Sequence, residues 1–285
     1  MLSNVIKSIL VCGAGTMGAG IAQLAIESEF DTFLFDTDKY ALENARIRID
    51  NSLQKHIEKE KLKNDEKDRM LSHLKLSDNF KGIQADMIIE AIVEKIEDKL
   101  SLFKDLSQHF PPETILATNT SSLQVTEIAA AVPQKRRVIG MHFFNPPAAM
   151  KLVEIVKTTY SDAVILEAAV AFVKRLGRIP VLVKDSPGFI VNRIARQYYL
   201  EAFRIAEDQM ADFRTIDYLL ENAGFRMGPF ALTDLIGQDI NYATTQSLYR
   251  AFFQEPRFRP SVLQAGLIKA GHLGKKSGKG FFEYE

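Results

Sequence analysis

A glycine pattern held between a strand and a helix constrains this chain more than any other feature. Residues 5–12 read VIKSILVC, a short run rich in β-branched residues that ends at glycine. G-A-G-T-M-G follows directly, and AGIAQLAIESE then carries apolar residues at helical spacing. A second β-type run, DTFLFD over 31–36, ends on Asp36, 18 residues after Gly18. Strand, glycine turn, helix and strand within about 30 residues make a βαβ unit. Such a unit calls for a parallel sheet covered by helices. Gly13 permits the tight turn, Gly15 lets backbone approach a pyrophosphate, and Gly18 lets helix and strand pack closely. Thr16 and Met17 lie in the first helical turn, whose N-terminus favours negative charge. A carboxylate at Asp36 can accept hydrogen bonds from both ribose hydroxyls and would repel the 2′-phosphate of NADP. The pattern therefore reads as an NAD site. Its rivals are a structural glycine turn beside a surface acid, and an FAD site.

The α/β rhythm continues. Strand-like runs occur at 86–93, 114–118, 137–142, 152–156 and 179–183, with amphipathic helices between most of them. Residues 38–76 differ: they are dense in charge and in helix formers and read as two helices broken near Lys63–Asp65, by pattern a solvated excursion. After KDSPG the segments are helical until a short FFEYE. The fold class expected is thus α/β: an N-terminal Rossmann-type doubly wound sheet over 1–184 with an inserted helical hairpin, then an all-α domain over 185–285.

Composition narrows the partners. Lys plus Arg equals Asp plus Glu at 36 each, so a zero net charge gives no support for nucleic acid or an anionic membrane as partner. One cysteine, Cys12, excludes an internal disulfide and a multi-cysteine metal site. It fits a reducing, cytoplasmic setting. The N-terminal apolar run is short and broken by glycine, and reads as neither signal peptide nor membrane span.

Three segments carry candidate chemistry. TNTSS, 118–122, places hydroxyls at the carboxyl end of a strand, where parallel sheets bind ligands; Ser121 or Ser122 can equally cap the following helix. HFFNPP, 142–147, runs a strand into a proline-stiffened loop, with His142 as a candidate base. Glu154 lies inside the apolar run LVEIV, an unlikely place for a carboxylate unless it is paired or at an edge. The proline loop can bring His142 and Glu154 together, orienting the ring and favouring its protonated form. An exposed edge glutamate and an ordinary salt bridge to Lys151 are the alternatives. The basic, glycine-rich HLGKKSGKGFFEYE alone reads as a flexible tail.

Together these motifs resemble the L-3-hydroxyacyl-CoA dehydrogenase family, most closely its short-chain 3-hydroxybutyryl-CoA members, from about Ile9 to Tyr284. The carriers are VCGAGTMGAGIAQ, EAIVE, ATNTSSL, GMHFFNPP, MKLVEIV, KDSPGFIVNRI and GKKSGKGFF. The resemblance implies that His142 and Glu154 form the catalytic pair, and that Ser121 and Asn192 contact the substrate. It also implies dinucleotide contacts at Asp36, Glu94, Lys99, Ser121, Asn145 and Lys276. The charged hairpin would then lie over the CoA moiety, with Ser52 and Lys59 as its contacts. The implied activity is NAD-dependent oxidation of (S)-3-hydroxyacyl-CoA to the 3-oxoacyl ester and the reverse. The implied assembly is a homodimer through the helical domain, and no metal is called for. A hydroxyacid or sugar-acid dehydrogenase on the same fold, and a non-catalytic NAD-binding protein, are the competing readings.

Overall fold

The computed structural model describes residues 6–285, so Val5 lies outside the described residues. The chain divides after Ser186 into two compact units.

The first unit builds one eight-stranded sheet. Its elements are β1 (Ser8–Cys12), α1 (Thr16–Glu27), β2 (Asp31–Phe35), α2 (Lys39–Glu58), α3 (Asn64–Ser72), β3 (Leu74–Ser77), β4 (Met87–Glu90), α4 (Ile96–His109), β5 (Ile115–Thr118), α5 (Val125–Ala130), β6 (Val138–Phe143), β7 (Leu152–Lys157), α6 (Ala163–Arg175) and β8 (Ile179–Lys184). The strand order is β3-β2-β1-β4-β5-β6-β7-β8. Every pair is parallel except β6–β7. That exception follows from the short proline loop, since a parallel return would need a crossover of a dozen residues or more. The order reverses between β1 and β4, and the crevice at their carboxyl ends is where open α/β sheets bind ligands.

Alternation along the strands sorts the core. Ile9 and Val11 face α1, α2 and α6 on one side of the sheet. Leu10 and Cys12 face Phe103 and Leu106 of α4 and Ile128 of α5 on the other. The hairpin expectation needs one correction. Residues 74–76, whose pattern placed them in its helices, belong instead to the edge strand β3 paired with β2. Leu74 and Leu76 alternate at period two, but four residues are too few for that period to stand out beside a helix. Helix α2 is also anchored: Leu42, Ala45, Ile49 and Leu53 form a buried stripe. Helix α3 is less anchored: it has no fully buried residue, and only Met70 and Leu71 lean on the core.

The second unit packs α7 (Val191–Glu207), α8 (Phe213–Asn222) and α9 (Pro229–Ile236) around Phe203 and Phe230, and sets α10 (Gln238–Ala251) and α11 (Val262–Lys269) against α7. The tail is neither loose nor a strand. Its backbone makes only isolated bridges. The buried carboxylate of Asp234 accepts hydrogen bonds from the amides of Phe281 and Phe282 and from the Tyr284 hydroxyl. Among the described residues, no helix is long and apolar enough to cross a membrane, and no cluster of three or more His, Cys, Asp or Glu side chains could hold a metal ion.

Candidate active site

The glycine loop is shaped by contacts at two of its glycines and by their absence at the third. Gly13 has φ +104°, and a Cβ there would lie 2.6 Å from the Ala91 carbonyl, so the loops after β1 and β4 nearly touch. A Cβ on Gly18 would lie 1.7 Å from the Gly13 carbonyl. At Gly15 a Cβ would meet nothing within 4 Å. An open backbone face therefore leads into α1, whose first turn holds no acid and whose cap makes no side-chain bond. That combination fits a dinucleotide pyrophosphate. Thr16 is exposed here and Met17 leans on the core. Asp36 stands beside the loop, one oxygen accepting the Ala14 amide at 2.7 Å and the other the Asp38 amide at 3.0 Å. These bonds aim the carboxylate while leaving it half-buried.

At the end of β4 lies a chain of charges of which the motifs showed only part. Glu90 is fully buried and accepts from the Lys99 ammonium at 2.5 Å, the Thr118 hydroxyl at 2.7 Å and the Ile92 amide at 2.8 Å. Lys99, expected at the dinucleotide, is 1% exposed and lies between Glu90 and Glu94, the second at 3.2 Å. Glu94 Oε1 in turn accepts from the Thr120 hydroxyl at 2.6 Å and the Ser121 amide at 2.9 Å. The Ser122 hydroxyl donates to the same oxygen. Burial opposes ionisation of Glu94, but the Lys99 charge and these donors outweigh it and hold the carboxyl below its ordinary value. The Ser121 loop is thus held by a carboxylate, and Ser121 and Ser122 cap no helix. Helix α5 begins at Val125, and its first amides are taken by Asp185, which accepts from Val125 at 3.2 Å and Thr126 at 2.6 Å. No local signal links residues 60 apart, so the capping expectation gave way to a tertiary contact.

His142 and Glu154 face each other in the β6–β7 ladder. Nδ1 of His142 lies 2.8 Å from Oε2 of Glu154, and both side chains are buried. A carboxylate can only accept, so Nδ1 carries the proton. Antiparallel pairing sets opposite residues side by side on one face, and this explains how a carboxylate stands inside an apolar strand. Asn119, the amide of TNTSS, accepts the Phe143 amide at 2.8 Å and ties the carboxyl ends of β5 and β6 together. The Ser121 loop and His142 are thereby neighbours. Asn145 is exposed in the loop beyond. Pro147 of that loop lies against α1, where a Cβ on Gly20 would come within 2.8 Å of it.

Two further candidates lie at α2 and two in the second unit. Ser52 lies on α2 and accepts from Gln23 of α1 at 2.9 Å. Lys59 is exposed at the end of α2. In the second unit, Asn192 is in the first turn of α7. Lys276 pairs with Asp239 at 2.6 Å.

Known proteins share both the sequence pattern and the fold. The pattern of the 3-hydroxyacyl-CoA dehydrogenase NAD-binding domain matches residues 8–186, and that of the same enzymes' C-terminal domain matches 188–284. The 3-hydroxyadipyl-CoA dehydrogenase of Escherichia coli K12 is 44% identical over 100% of this chain, which spans only 60% of that protein's length. The 3-hydroxybutyryl-CoA dehydrogenase of Clostridioides difficile is 38% identical over 97% of this chain and 99% of its own. The crystal structure of (S)-3-hydroxybutyryl-CoA dehydrogenase from Ralstonia eutropha superposes with a TM-score of 0.94 at 35% identity, covering 98% of this chain and 99% of that one.

Proposed function

Because the chain belongs to the 3-hydroxyacyl-CoA dehydrogenase family, with an NAD-binding domain and the C-terminal domain of those enzymes, we propose that it interconverts (S)-3-hydroxyacyl-CoA and 3-oxoacyl-CoA esters, with 3-hydroxybutyryl-CoA as a substrate, through His142 and Glu154. The observation that carries this reading is the buried cross-strand pair of His142 and Glu154 beside the Ser121 loop. With Nδ1–H donating to Glu154, Nε2 is the nitrogen that takes the proton from the C3 hydroxyl in oxidation and returns it in reduction. Glu154 fixes the ring and stabilises the imidazolium that forms. The glycine loop and Asp36 would hold NAD, which would supply the hydride acceptor for C3. Ser121, held by Glu94, and Asn192 orient the substrate oxygens, so much of the rate comes from positioning. Ser52 on α2 and Lys59 just past its end receive the CoA moiety.

Asp36 makes NAD the preferred dinucleotide over NADP through repulsion of the 2′-phosphate. The ratio of kcat/KM for NADH over NADPH should be large in the unaltered protein, and Asp36→Ala should narrow it. The exposed Tyr218, Leu219 and Phe225 of the second unit support a homodimer, to be read by light scattering at micromolar concentration. The function itself is tested by initial rates of NADH oxidation with acetoacetyl-CoA, longer 3-oxoacyl-CoA esters and free acetoacetate. Turnover of the esters and not of the free acid is expected. Equal turnover of the free acid would reassign the protein to the hydroxyacid dehydrogenases.

A further inference from the structure

The hairpin carries a cation that neither the motifs nor the family resemblance singled out. Arg48 lies on α2, and its guanidinium Nη1 donates to the Thr16 hydroxyl at 3.4 Å while Nε donates to the Asn44 carbonyl at 3.3 Å. Thr16 opens α1 directly after Gly15, on the open backbone face of the glycine loop. Among the described residues no carboxylate stands within ion-pair distance of Arg48. Three other cations of the hairpin are paired, Lys39 with Asp78, Lys67 with Asp50 and Arg69 with Glu29, whereas Arg46 and Lys55 of α2 have no carboxylate partner among the described residues either; Arg48 differs from those two in donating to the first residue of α1. An arginine fork held against the first turn of a phosphate-binding helix, without an anion of its own, is poised for one.

We propose that Arg48 is a dinucleotide-phosphate contact, closing over the pyrophosphate from the hairpin side as the α1 amides hold it from below. The inference rests on the NAD-dependent reading above. Two long hydrogen bonds, to Thr16 and Asn44, bias the fork toward the loop and leave it free to turn to an anion. The same helix explains how one hairpin serves two ligands. Arg48, Ser52 and Lys59 fall four and seven residues apart, on one face, and a rise of about 1.5 Å per residue puts Lys59 about 16 Å beyond Arg48. The Arg48 end therefore stands at the dinucleotide loop, and the Lys59 end at the site proposed for CoA. A phosphate of CoA is the other source of the same chemistry, and direct binding separates the two.

The experiment is a fluorescence titration of NADH, and a calorimetric titration of free coenzyme A, with the full chain, Arg48→Gln and Arg48→Lys. NADH binding by the unaltered protein tests the NAD-dependent reading by itself; the variants test Arg48. Arg48→Gln should raise the Kd for NADH about five- to tenfold at low salt, the size of one charge-assisted contact at a partly open surface. Its Kd should also depend less on salt than that of the unaltered protein. Arg48→Lys, which keeps the charge and loses the fork, should fall between them. Coenzyme A binding should change less than twofold in both. An unchanged NADH Kd in Arg48→Gln would overturn the proposal and reduce Arg48 to a helix-surface bond. Weaker coenzyme A binding with NADH unaffected would overturn it in favour of the CoA phosphates.

Discussion

The two units bury charged side chains for opposite ends. In the α/β unit most of them meet another charge, Glu90 with Lys99, Lys99 with Glu94 and His142 with Glu154, while Arg137 is the exception and donates to backbone carbonyls. In the helical unit they meet backbone and neutral groups. Asp217 accepts the amides of Phe230 and Ala231, and Asp234 holds the tail. Arg196 donates to the Asn241 carbonyl and the Thr245 hydroxyl. Burial accordingly pulls Arg196 down to about 10 and pushes Asp217 up. Ionisable groups that face each other can exchange or stabilise charge as a reaction proceeds. Groups that face amides can only hold a chain in place. Buried charge by itself is therefore a poor marker of chemistry, and its partner is a better one.

The widest separation between the units should come from His142. His142→Gln should lower kcat by roughly 10²–10⁴, the usual worth of a positioned acid–base group, with NADH affinity and thermal stability little changed. Glu154→Gln keeps the shape and removes the charge, and the double variant should be little worse than His142→Gln, because the pair acts as a unit. Strictly additive losses in single-turnover rates would mean that Glu154 serves the strand and not the ring.

Asp234→Ala is the counterpart in the helical unit. It strips the acceptor from two amides, a tyrosine hydroxyl and the Gln238 side chain, and should cost about 3 kcal/mol in urea unfolding. An equally large change in kcat with stability retained would erase the distinction between the two units.

A smaller effect should follow pH at Glu94. Its carboxyl is held below its ordinary value in the folded chain, so the ionised form contributes stability above the unfolded-state value. That contribution is lost as pH falls through the folded value. The stability gap between the unaltered protein and Glu94→Gln should therefore be open at pH 7 and close in the acid range, as read by thermal unfolding across pH. A gap that persists unchanged in acid would mean that the Lys99 pairing contributes nothing.

The mildest test concerns Cys12. Burial, aided by Glu90 and Asp36, pushes its thiol well up. Labelling by a thiol reagent at pH 8 should be negligible in the folded protein and complete in denaturant. Prompt labelling of the folded chain would mean that the floor of the β1–β4 crevice opens.

Much of this protein was legible from local pattern. Gly13, Gly15, Gly18 and Asp36 specify the first βαβ unit because backbone sterics and strand period act within a few residues. The helix spacing of the second half is visible for the same reason, and the His142–Glu154 partnership was open to inference from two strands joined by a short proline loop. Tertiary structure decided what depends on distant residues. It placed Glu90 and Lys99 beneath Glu94, made Asp185 rather than a serine the cap of α5, drew β3 out of the hairpin and set Asn119 against Phe143. It also leaned Arg48 on Thr16 across 32 residues. Hydrogen bonds and ion pairs are satisfied in space, and a sequence pattern records only those whose partners lie within a turn or a strand.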